Sequence, residues 1–319
     1  MIQTALIGLG AAIASFALFA SIQTGSLIAI LLFYLAPLPI LIAALGFSHW
    51  AGLVAAGGAA FGLFATFGGP MALAFLVGAG LPAWWLGHLA LLARPAETTT
   101  PDGLEWYPVG HLVTWAAILG GGVVVAALIG LGGGPEEFRA GLRETLEQMF
   151  KAQDGNSPAD INRMLDILVM ALPPAAAVLT TITNLVNLWL AWRIVTVSGL
   201  LHRPRPDLTG MEFPWYAPVL LGLAFVGTFL PGLSSIAAWA LTASLLAAYA
   251  FLGLAVTHVL SRRLPSRLMI LVAVYASVLI FGWPVLLLTI LGLTESAFGL
   301  RARFAGHSGP PSPPINPSN

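Results

Sequence analysis

Thr180, Thr181, Thr183, Asn184 and Asn187 stand together in a stretch, about Leu165–Trp192, that is otherwise apolar enough to cross a bilayer. Positions 180, 184, 187 and 191 recur at i, i+4, i+7 and i+11, so they share one helical face. Two amides in hydrocarbon need partners, because an unsatisfied polar group there costs several kcal/mol. The stripe must therefore point into a helical bundle. One reading makes it the polar wall of a substrate site, with Thr180, Asn184 and Asn187 as hydrogen-bonding groups. Trp189 is then the aromatic neighbour and Arg193 lies nearer the rim. The other reading is interhelical hydrogen bonding, for which Asn and Thr are common, with Arg193 snorkelling to the interface.

Other residues offer less. Asp160, Arg163 and Asp166 sit at i, i+3 spacing and are expected to pair on one helix face, as a surface ion pair or a charged gate above a site. The six histidines, His49, His88, His111, His202, His258 and His307, are scattered, and no two share a helix face at ligand spacing. For His88, His111 and His258 a ring at headgroup level is expected. There is no Cys, no Gly-rich loop ending in Gly-Lys-Ser/Thr, no His-Glu-x-x-His and no Gly-x-Ser-x-Gly. The sequence therefore predicts no enzyme, no cofactor and no metal. Zero net charge gives no basis for nucleic-acid binding.

The elements that position these residues follow from composition. The chain has 319 residues, 58% hydrophobic and 8% charged, against about a quarter charged in soluble domains. So few charges cannot cover a surface in water, but they suffice for short loops between lipid-facing helices. A bilayer core of about 30 Å takes roughly 20 apolar residues per helix. Such segments recur at about 2–20, 26–45, 51–66, 71–92, 109–131, 165–192, 215–230, 234–260 and 268–293. The last contains Gly282-Trp283-Pro284, where helix is disfavoured. It is either one kinked span or a hairpin. The positive-inside rule favours the hairpin, since only then do Arg301 and Arg303 share a side with Arg94, Arg203, Arg205, Arg262, Arg263 and Arg267. The expected fold is an all-α, polytopic transmembrane helical bundle of about eight to ten spans. About ten crossings or part-crossings are expected, with nine as the alternative, both termini in the cytoplasm and the bundle in a bacterial inner membrane. The first segment lacks a basic n-region and reads as a retained span.

Residues 1–303 read as one transmembrane domain. The polar stretch 132–162 reads as an extracytoplasmic amphipathic helical insertion: Pro135 suits a first helical position and Glu136 and Glu137 suit the positive end of the dipole. Phe138, Leu142, Leu146, Met149 and Phe150 then recur at helical spacing. It is expected to lie flat on the membrane or to lid the bundle. Asn156-Ser157-Pro158 restarts a helix. The Pro/Ser-rich segment 304–319 is expected to be a disordered cytoplasmic tail.

Four stretches carry a family likeness: Leu35-Ala36-Pro37-Leu38-Pro39-Ile40-Leu41; Gly69-Pro70 leading to Gly80-Leu81-Pro82-Ala83-Trp84-Trp85-Leu86-Gly87-His88; Ala248-Tyr249 through Thr257-His258; and an ending with Glu295, Phe298 and Arg301. Together they resemble the YybS-like family of predicted bacterial membrane proteins, a domain-of-unknown-function family, although Ala297 and Leu300 depart from its usual aromatics. The resemblance implies no established activity. That family is distantly similar to the substrate-binding membrane subunits of energy-coupling-factor vitamin importers, which bind a small ligand and borrow ATPases from partner proteins. The expected partners are thus the lipid bilayer, a small-molecule ligand and a partner ATPase. The alternative is a non-transport scaffold that binds envelope or morphogenesis proteins.

Overall fold

In a computed structural model the chain is helical almost throughout, and the structure describes residues 2–96, 103–131, 134–150, 158–201, 203–204 and 208–305. The expected tail from residue 306 lies outside them. Helices α1 (Ile2–Ala20), α2 (Leu27–Tyr34), α3 (Pro37–Gly46), α4 (His49–Phe67), α5 (Gly69–Phe75) and α6 (Leu81–Ala90) come first. A short hairpin of β1 (Ala93–Pro95) and β2 (Leu104–Trp106) follows, closed by Arg94–Glu105 at 2.8 Å. Then come α7 (Val109–Leu131), α8 (Pro135–Phe150), α9 (Pro158–Val197), α10 (Ala217–Gly227), α11 (Leu233–Leu260), α12 (Arg267–Phe281), α13 (Val285–Phe298) and α14 (Leu300–Ala305). Two compact units form, Met1–Asp207 with Glu212–Ala248, and Leu208–Met211 with Tyr249–Asn319.

Among the described residues, seven helical segments are long and apolar enough to cross a membrane: Ile2–Thr24, Leu27–Gly46, His49–Phe67, Gly69–Ala90, Val109–Gly130, Asn162–Val197 and Leu233–Leu260. Three further apolar helices, α10, α12 and α13, are shorter. Large apolar side chains such as Leu6, Ile13, Phe61, Leu223 and Leu279 face outward. A chain so clothed is stable only where lipid covers it. The multi-pass helical membrane fold expected from composition is the one observed.

In the first unit, small residues bring backbones together. A Cβ on Gly8 would meet Val54 and the Ala51 carbonyl, one on Gly58 would meet Ala12, and one on Gly62 would meet Phe16. The offset between partners is constant, so α1 and α4 run parallel, with α2 and α3 returning between them. Helices α7 and α9 cross at Gly120, where a Cβ would fall 2.2 Å from Thr181 Oγ1 and 2.6 Å from the Ala177 carbonyl. Close packing of this kind drives helix association in lipid, where the hydrophobic effect cannot. Helix α9, with 40 residues, is about 60 Å long, and its N-terminal turns extend beyond what a bilayer needs.

The amphipathic insertion forms α8 as expected and packs on α7, α9 and α11. Phe138 packs with Val124, Leu128, Ala177 and Ala240. Arg143 donates to Asn162 Oδ1 at 2.8 Å, to Glu147 at 3.1 Å and to Asp166. The ladder expected within α9 is therefore corrected. Asp166 pairs with Arg143 of α8, which a pattern confined to one helix cannot reveal, and the Asp160 side chain lies outside the described residues.

In the second unit, α12 and α13 are separate helices. Arg262, one turn beyond α11 and just before α12, donates to Thr209 Oγ1 at 2.7 Å. Arg301, just after α13, donates to the Thr209 carbonyl and, at 2.7 Å, to that of Met211. The chain thus leaves and re-enters at one loop, which makes the pair the expected hairpin. Gly253 of α11 and Gly292 of α13 touch backbone to backbone: a Cβ on either would lie within 2.0 Å of the Leu288 or Tyr249 carbonyl oxygen. Glu295 and Arg301 are both mostly buried and paired at 2.7 Å.

Candidate functional site

The second apolar segment cannot be a continuous α-helix because Pro37 and Pro39 have no N–H to donate. The chain tightens there: Ala36 N–H bonds Phe33 C=O at 3.1 Å and Leu38 N–H bonds Leu35 C=O at 3.0 Å. Leu38 N–H is the ordinary helical partner of Tyr34 C=O, so its diversion leaves that carbonyl in need of a donor. Ala36 is fully buried and Ile40 and Leu41 beside it are too. Water does not reach the break, and other helices must serve it.

They do so with side chains. Asn187 Nδ2 donates to Tyr34 C=O at 2.8 Å and to Thr183 C=O, one turn back on its own helix, at 2.8 Å. Ser15 Oγ of α1 donates to Ala36 C=O at 2.7 Å. Asn187 lies ten residues before Val197 at the end of α9, about 15 Å along the axis. That is half the thickness of a bilayer core of about 30 Å.

The polar account does not close. Two carbonyl acceptors fix the orientation of the Asn187 amide, so its Oδ1 points elsewhere, and among the described residues this buried oxygen has no donor. Three residues earlier on the same face, Asn184 Nδ2 is buried and has no acceptor among them. Both residues are 1% exposed. Buried polar atoms are ordinarily paired, and those that are not call for a reason. The site thus offers one free donor and one free acceptor beside a broken helix at mid-span. The groups described at the break are two amides, a serine hydroxyl and backbone carbonyls.

The five residues expected at the site, Thr180, Asn184, Asn187, Trp189 and Arg193, do not all come together. Asn184 and Asn187 come together at the break. Thr180, one turn above Asn184, is half-buried at the edge of the same face. Trp189 is 49% exposed and Arg193 is exposed, its guanidinium 5.9 Å from the Trp189 ring. At 100° per residue, positions 189 and 193 fall 200° and 240° from 187, which sends both outward. Thr181 is buried but its hydroxyl donates to Ala177 C=O at 2.8 Å, under Gly120, which makes it part of a helix crossing. Ser15 and the Tyr34 carbonyl escaped the sequence reading. The available signal was the arithmetic of lost donors at Pro37 and Pro39. His49 and His88 also meet across helices, with ring centroids 4.9 Å apart.

A family model described as predicted membrane protein (DUF2232) matches residues 12–295. No curated protein and no solved structure matches the chain.

Proposed function

The chain belongs to that family of predicted membrane proteins, and from this premise we propose that it is the small-molecule-binding component of a membrane transport system that takes its energy from a partner. The observation that carries this reading is the free donor and acceptor, Asn184 Nδ2 and Asn187 Oδ1, buried at mid-span against the α2–α3 break. Discontinuous helices near the midplane are where transporters hold their substrates. A neutral ligand with an acceptor and a donor on neighbouring atoms, such as an amide or a hydroxylated ring, would satisfy both groups, with Thr180 within a turn. Trp189 and Arg193 would then anchor α9 at the headgroup edge. The sequence has no phosphate-binding Gly-rich loop, so energy would come from a separate ATPase, as in the importer subunits to which the YybS-like sequences are distantly similar. In this reading the protein sits in a bacterial inner membrane, with the basic loops and both termini in the cytoplasm and α8 covering the other end. A reporter fused after Arg303 tests that orientation.

The deciding experiment is purification of the full chain in mild detergent, with identification of bound small molecules and proteins. Thermal unfolding with thiamine, riboflavin, biotin and pantothenate follows. A co-purified metabolite or one of these vitamins should raise the Tm, and Asn184→Ala with Asn187→Ala should abolish the rise. If nothing raises the Tm and envelope-building proteins co-purify in fixed proportion, the chain is a morphogenesis scaffold and the transport reading fails.

A further inference from the structure

Arg203 lies in the loop after α9, yet it is only 8% exposed. Its Nη1 donates to the Ala90 carbonyl at the end of α6 at 3.0 Å. Its guanidinium carbon lies 5.1 Å from the ring centroid of Trp192 and 5.9 Å from that of Trp106. No carboxylate among the described residues pairs with it. Burial pushes its pKa down to about 10, which still leaves the group charged at neutral pH. The two indoles around it add a second anomaly. Trp192 is 8% exposed, and both its Nε1 and that of Trp106 are buried with no acceptor.

A guanidinium carries five N–H donors. With the Trp106 and Trp192 rings beside it, each with an unpartnered indole N–H, this corner gathers donors, and among the described residues one carbonyl, that of Ala90, accepts from the guanidinium. Faces of aromatic rings attract a cation but accept no ordinary hydrogen bond in its plane. A structural clamp would be expected to place a carboxylate here, since a buried charge without a partner is costly. A donor-rich corner of this kind suits an acceptor-rich anion. The planar fork of arginine matches two oxygens of a phosphate. The depth also fits: Ala90 and Val197 end their spans, and a tryptophan pair at a span end marks headgroup level.

We propose that Arg203, with Trp106 and Trp192, forms a binding site for a phosphate-bearing anion at the end of the first helical unit. The anion is either the phosphodiester of an acidic lipid or a free phosphate. The site uses none of the residues assigned to the mid-span ligand seat, so either proposal can fail without the other.

The test is thermal unfolding of the full chain, stripped of lipid in neutral detergent. It receives in turn dioleoylphosphatidylglycerol, dioleoylglycerol of the same chains without phosphate, and inorganic phosphate. Phosphatidylglycerol should raise the Tm clearly above dioleoylglycerol, and Arg203→Gln should remove the difference. A rise with inorganic phosphate alone that is also lost in Arg203→Gln assigns the site to a free anion. If that variant does not fold, Arg203→Lys keeps the charge and loses the fork. Native mass spectrometry should then show affinity for the phosphorylated probe reduced about tenfold. Equal stabilisation by phosphatidylglycerol and dioleoylglycerol with none by phosphate overturns the proposal. So does a phosphate-dependent rise that persists in the Arg203 variants.

Discussion

Two of the interrupted apolar stretches of this chain, at Leu35–Pro39 and Gly282–Pro284, solve the interruption in different ways. At Leu35–Pro39 the missing donors are prolines and the break is buried. The chain keeps its direction, and two other helices supply hydrogen bonds through Asn187 and Ser15. At Gly282–Pro284 the chain reverses. Gly282 has φ +72 and ψ −52, the geometry of a γ-turn. Trp283 N–H closes that turn on Phe281 C=O at 2.8 Å. Val285 and Leu286 N–H then bond the Gly282 and Trp283 carbonyls at 3.1 and 2.9 Å, while Phe281 and Trp283 are 64% and 60% exposed. The exposed break is satisfied by its own backbone and needs no other element. The buried break is held from outside, and the holding leaves amide atoms over. Among the described residues, it is the buried break that has unpartnered amide atoms beside it.

The contrast is broken most directly at Asn187. Asn187→Leu keeps the volume close but leaves Tyr34 C=O without a donor. The expected loss is about 1–3 kcal/mol in reversible unfolding in mixed micelles; no loss would mean that the buried break does not depend on α9. The matching test at the exposed break is Gly282→Ala, which forces a side chain into a left-handed backbone. It should cost about 1–2 kcal/mol, and restoring glycine alone should recover it. Ser15→Ala should cost about 1 kcal/mol by the same unfolding measurement, the ordinary worth of one hydrogen bond. A Ser15 effect as large as that of Asn187 would shift the support of the break from α9 to α1.

Much of this was legible in the amino acids. Runs of about 20 apolar residues define spans whatever the tertiary structure, because the bilayer sets their length. The break at Gly282 was visible because a Gly-x-Pro sequence is local. Helix α8 announced itself by its period. What escaped depends on neighbours distant in sequence. Asn187 and Tyr34 are 153 positions apart, and Asp166 finds Arg143 across a connection. Nearness in sequence joined Trp189 and Arg193 to the amides, although the angle around the helix sends these two outward. The buried state of Arg203 was hidden because a loop arginine beside prolines reads as surface charge. Only the fold brings Trp106, Trp192 and the Ala90 carbonyl around it.

The smallest expected effect is the sharpest. Asn184 Nδ2 has no acceptor in the bundle, so removing it breaks no hydrogen bond. Replacing a buried polar group that is unpaired with an apolar one of similar shape is near neutral or stabilising. Asn184→Leu should therefore leave unfolding of the ligand-free protein within about 0.5 kcal/mol of the parent, or raise it, in contrast to Asn187→Leu one turn away. The same variant should lose any stabilisation by the ligand that the mid-span site holds. Stability kept and ligand response lost is the signature of a residue retained for recognition. A loss of about 1 kcal/mol or more in the ligand-free protein would instead make Asn184 a strut, and the two amides would then serve the break together.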